Sequence, residues 1–64
     1  MEVETLYFRT LEGAVEFLRS EGFLFQGAPN RWKKDSEGKV LRADIHVSGA
    51  QHATIVIYRP GADS

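Results

Sequence analysis

The chain has no cysteine. That excludes disulfide staples and thiolate metal sites, and it fits a reducing compartment. No apolar run approaches the ~20 residues that a membrane-spanning helix needs. The N-terminus also lacks the basic-then-apolar order of a signal peptide. Together these absences predict a cytoplasmic protein, in a bacterial or host cytosol, with no membrane contact. Neither sign of charge dominates, since the net charge is −1. Only two prolines, Pro29 and Pro60, interrupt the chain.

Sixty-four residues make one domain, 1–64. Packing alone contributes roughly 5 kcal/mol or less in chains this small. Trp32, the four phenylalanines and the aliphatic strands must supply that core, or self-association must add to it. The charge is unevenly spread. Five glutamates (2, 4, 12, 16 and 21) face only Arg9 and Arg19 in residues 1–22, whereas residues 23–64 are net basic. Such asymmetry can steer partners, and it is also the ordinary pattern of a solvated surface.

What is present is mostly periodicity. Leu41-Arg-Ala-Asp-Ile-His-Val47 and Ala53-Thr-Ile-Val-Ile-Tyr-Arg59 alternate with period two, the spacing of half-buried strands. Leu6 and Phe8 alternate with Thr5, Tyr7 and Arg9, which predicts a strand over 3–9. Between them, Leu11, Ala14, Val15 and Leu18 recur at helical spacing, flanked by Phe17. Thr10 is placed to cap this helix, over 11–21, and Gly22 to stop it. A further strand is expected over 23–34, interrupted at Gly27-Ala-Pro-Asn30 because proline cannot donate to a ladder. A tight turn on Asp35-Ser-Glu-Gly38 leads into strand 39–47. The last strand, 53–59, stops at Pro60-Gly61, and 60–64 read as a frayed tail.

The expectation is an α+β fold in the order β-α-β-β-β: an antiparallel three-strand meander plus an N-terminal strand, with one helix packed on one face. A crossover helix would make the first strand parallel to its neighbour, either the second or the fourth strand. Pairing Val47 with Ala53 sets Ile45 against Ile55 and Ala43 against Ile57. Phe23, Phe25, Trp32, Leu41, Leu6 and Phe8 can join this inner face. The other face then sets Arg42 against Tyr58, Asp44 against Val56 and His46 against Thr54. A one-residue slip would bury Arg42 and Asp44.

That outer face is the candidate binding surface: Arg31, Lys33, Arg42 and Tyr58, with His46 at one end. Cations beside an aromatic ring bind phosphates and stack bases, and they also serve protein contacts. Arg31 falls opposite either Arg42, which favours a bound anion, or Asp44, which offers an internal ion pair. In a purely structural role, Tyr58 and Val56 would shield the ladder beneath an arginine stem. Val40, Val56, Tyr58 and Leu24 make the face partly apolar, so a protein partner or a weak homodimer is expected, with nucleic acid second. Three glutamates make the helix surface acidic, the ordinary composition of a soluble helix.

No catalytic or metal-ligating set is evident, and no cofactor is expected. His46 lies near Asp44, but its only neighbouring hydroxyl, Thr54, has nothing to activate it as a nucleophile. His52 belongs to a loop, away from His46, so a shared metal is not expected.

The run Ala14-Val-Glu-Phe-Leu-Arg-Ser-Glu-Gly-Phe23, then Trp32, Ala43-Asp-Ile45 and Ile55-Val-Ile57, resembles small uncharacterised phage and prophage proteins. The resemblance covers most of the chain, rests on structural motifs, and implies a phage or bacterial cytosolic accessory protein with no assigned activity. The helix ending in Gly22-Phe23 before strands is also similar to HicA-type RNA-cleaving toxins. That family places a catalytic histidine in a Gly-Ser-His segment soon after the Gly-Phe. Here the stretch is Gln26-Gly-Ala-Pro-Asn30, and neither His46 nor His52 takes its place. The reading is therefore a non-enzymatic interaction module.

Overall fold

The computed structural model describes residues 2–28, 30–49 and 52–60. The order of elements is β1 (Glu2–Phe8), α1 (Leu11–Ser20), β2 (Leu24–Gly27), β3 (Arg31–Ser36), β4 (Lys39–Ser48) and β5 (His52–Arg59). One antiparallel sheet runs β1-β5-β4-β3-β2, and α1 packs on one side of it against β1 and β5. The fold is α+β.

Local chemistry sets the helix ends. Thr10 is extended, and its Oγ1 accepts from the Gly13 N–H at 3.0 Å, satisfying a free donor of the first turn. At the other end the Phe23 N–H donates to the Leu18 carbonyl (2.9 Å) and the Gly22 N–H to the Arg19 carbonyl (3.1 Å). This paired closure needs a left-handed residue, and Gly22 supplies it at φ 94°. It also drops Phe23 into the core beside Leu18.

The segment over 23–34 is not one interrupted strand. It is two strands, β2 and β3, folded back on each other, so the sheet has five strands instead of four. Phe25 pairs with Trp32, and the register shifts between Phe25 and Gly27. Gly27, at φ 143°, takes a backbone conformation open to glycine, and the chain reverses after it. The Asn30 carbonyl then accepts from the Ile45 N–H on β4 at 3.1 Å. The interruption at Pro29 itself lies outside the described residues.

This extra reversal corrects a second expectation. The first strand does join the last strand of the chain, but antiparallel, from Glu2 opposite Arg59 to Phe8 opposite Ala53. Each hairpin inverts the chain, so one more hairpin inverts the direction of β5 relative to β1. The crossover through α1 still links two parallel strands, β1 and β2, but they lie at opposite edges of the sheet.

The β4–β5 register is as the alternation predicts, with Ile45 opposite Ile55 and Ala43 opposite Ile57. The turn from β3 to β4 is two residues, Glu37 at φ 52° and Gly38 at φ 79°. Two left-handed residues match the right-handed twist of the flanking strands. The core is Ala14, Leu18, Phe23, Trp32, Leu41, Ala43, Ile45, Ala53, Ile55 and Ile57, with Leu6, Phe8, Val15 and Phe17 packed against it. Phe25 shares this face but stays 54% exposed, because α1 lies over the opposite half of the sheet. It meets Trp32 edge-on at 5.3 Å. Leu11, in the first helical turn, is also largely outside the core.

The open sheet face as candidate functional site

With α1 on one face, no element among the described residues covers the other face of the five strands. Its side chains form rows across the strands. One row reads Val3, Tyr58, Arg42, Lys33 and Leu24, from β1 to β2. The next reads Thr5, Val56, Asp44 and Arg31, and a third reads Tyr7, Thr54 and His46. On β3, β4 and β5 these side chains alternate with core residues such as Trp32, Ala43 and Ile57, so the pleat turns them outward, and on β1 the register with β5 sets the same face.

The structure resolves the two registers open for Arg31. It stands opposite Asp44, which puts Lys33 opposite Arg42. Arg31 and Asp44 do not close into an ion pair. Among the described residues the only salt bridge joins Arg59 to Glu4 at 2.8 Å, on the inner face near the end of the sheet. Arg31, Lys33 and Arg42 are exposed, and Tyr58 and Asp44 are half-buried.

Four of the five expected residues come together. Arg31, Lys33, Arg42 and Tyr58 line a shallow groove with Gln26, Trp32 and Asp44. The fifth, His46, lies outside it, opposite Thr54 and toward the far end of β4. Gln26 was not legible as part of this surface, because its place depends on the irregularity in β2. Val3 and Tyr7 were also missed, although their alternation with Leu6 and Phe8 held the signal. They are 57% and 81% exposed and extend the face across β1. Leu24, at 69%, bounds it on β2.

The chemistry this arrangement offers is recognition. A strip of cations lies between apolar and aromatic borders, with one carboxylate, Asp44, in the groove beside Arg31 and a second, Asp35, beyond Lys33 on β3. His52 opens β5 opposite Ser48, and is not confined to a loop. Among the described residues no three His, Cys, Asp or Glu side chains gather as a metal site. Among the described residues no helix is long and apolar enough to cross a membrane. No protein-family model matches the chain, and no curated protein and no solved structure is significantly similar to it.

Proposed function

We propose that this protein is a non-enzymatic interaction module that binds an acidic surface of a protein partner on its open sheet face. The observation that carries the reading is the row Tyr58, Arg42, Lys33 and Leu24. Two adjacent cations with no carboxylate in their row call for an anion from outside. The exposed Leu24 and half-buried Tyr58 at either end suit apolar contacts around it. Aromatic and arginine side chains are the residues that most often dominate protein interfaces. The resemblance to phage proteins and the absence of cysteine favour a cytoplasmic accessory role in a bacterium or phage.

The test is affinity capture from a nuclease-treated bacterial lysate, comparing the wild-type chain with Arg42→Ala/Tyr58→Ala. A protein retained by the wild type and lost by the variant supports the reading. Retention by both refutes it.

A second reading adds Arg31, from the neighbouring row, to these two cations. Arg31, Lys33 and Arg42 beside Tyr58 suit a phosphate backbone and a stacked base. Binding of this kind weakens steeply with salt, by roughly one counterion per phosphate contact. Captured material that disappears with nuclease favours it.

A further inference from the structure

The sheet has two edges, and they differ. The β2 edge is four residues long and irregular between Phe25 and Gly27, which blunts it against further pairing. The β1 edge is seven residues in unbroken register with β5, with no proline, lysine or bulge. Such an edge presents a row of free backbone donors and acceptors, ready to template another strand. From this we infer that β1 pairs with β1 of a second copy, antiparallel and centred on Thr5, to give a symmetric dimer with one continuous ten-stranded sheet.

The sequence of the strand selects that register. A two-fold axis through the edge keeps like faces on the same side, so only centres on a residue are allowed. Centring on Thr5 uses all seven residues. It sets Thr5 against Thr5, Val3 against Tyr7, Glu4 against Leu6 and Glu2 against Phe8, each pair with a residue of the other copy. Val3 with Tyr7 is an aromatic and β-branched pair, and Thr with Thr can hydrogen-bond across the strands. These are the two most exposed apolar side chains of β1. Centring on Glu4 instead opposes two glutamates. Centring on Leu6 leaves Glu2 and Val3 unpaired.

The helix provides a second, separate observation. It packs on β1 and β5, and Phe17 meets Phe8 of β1 with ring centroids 5.4 Å apart. The flank of α1 nearest the β1 edge is therefore the one carrying Phe17, with Gly13 and Ser20 four residues before and three after it. Neighbouring strands are roughly 4.8 Å apart. A helix seated over the β1–β5 pair thus lies about 5 Å from the proposed axis, and two such helices lie roughly 10 Å apart, the spacing of packed helices. The small side of Gly13 and Ser20 leaves room there, and Phe17 of each copy fills the gap. Strand pairing and helix spacing agree on one axis.

The dimer uses only the β1 border of the open face and none of the cations on β3 and β4, so it stands or falls apart from the partner proposed above. The experiment exploits the absence of native cysteine. Thr5→Cys is expected to form a disulfide-linked dimer, twice the 7.2 kDa chain, under mild oxidation, whereas Asp35→Cys on β3 stays monomeric. Val3→Cys mixed with Tyr7→Cys is expected to cross-link, with either variant alone cross-linking poorly. Sedimentation equilibrium of the unmodified chain is expected to show a concentration-dependent dimer, weakened about tenfold or more by Tyr7→Lys, and unaffected by Arg42→Ala. A monomer at every concentration, cross-linking at Asp35→Cys equal to that at Thr5→Cys, or failure of both the Thr5 and the mixed Val3/Tyr7 variants to cross-link overturns the inference.

Discussion

Lys33 stands directly opposite Arg42, two exposed cations on neighbouring strands of the open face. Like charges at this spacing repel and destabilise the pair. Tyr58 and Leu24 flank them on either side, so their own row offers no compensating carboxylate. A surface that carries such a pair gives up stability for the ability to hold an anion. Lys33→Glu is therefore expected to raise the unfolding free energy by roughly 0.2–1 kcal/mol, read from urea melts, while partner capture falls. A variant that is less stable than the wild type, or that still captures the partner, contradicts this account.

The core rests on few large side chains. Leu18 and Ile55 are the largest that are fully buried. Leu18→Ala truncates the largest fully buried side chain of the helix and is expected to cost about 2–5 kcal/mol. In a chain with roughly 5 kcal/mol or less to lose, that leaves a substantial unfolded fraction at 25 °C. Circular dichroism at 222 nm, followed against temperature, measures it.

Gly22 closes the helix at φ 94°. A methyl group there would meet only Lys34 Cε, at an ordinary 3.7 Å. The penalty for Gly22→Ala is thus one of backbone conformation, about 1–2 kcal/mol, and not of crowding. Gly22→Asn, which tolerates the left-handed region better, is expected to lose less. Chemical denaturation of the two variants side by side gives the comparison, and equal losses would contradict it.

Trp32 is buried, and its Nε1 finds no hydrogen-bond partner among the described residues. An unpaired buried donor carries a desolvation cost of about 1–3 kcal/mol. Trp32→Phe removes that donor while leaving a ring to meet Phe25. The variant is expected to be destabilised by less than the about 3–5 kcal/mol of a Trp→Ala truncation. Paired denaturant melts of Trp32→Phe and Trp32→Ala measure the gap, and equal losses would remove any contribution from the unpaired N–H.

Much of the architecture was legible because it is local. Thr10 and Gly22 mark the helix ends by their own chemistry, and the helical stripe lands Ala14 and Leu18 in the core. The alternation over 41–47 and 53–59 selects one register for β4 and β5, since a slip of one residue would bury charge. Arg42 opposite Tyr58 follows from that register, which is why the centre of the candidate site was readable. The pairing of Arg31 was not, because the short β3 carries only one large apolar residue, Trp32, too little alternation to choose between two alignments with β4. Phe25 reads as core by parity, yet its exposure depends on where the helix lies.

The amino-acid order alone determined which residues turn inward, where the helix begins and ends, and which residue types share the outer face. These depend on side-chain period and on capping, both encoded within a few neighbouring residues. Only the tertiary structure decided the number of reversals between Phe23 and Lys34, and with it the direction of β5 relative to β1, and it chose the last strand as the neighbour of β1. Strand direction is a parity summed along the chain, so one turn that bends back instead of running on inverts everything after it. The placement of α1 over β1 and β5, which leaves Phe25 exposed at the other end of the sheet, was likewise decided by long-range packing.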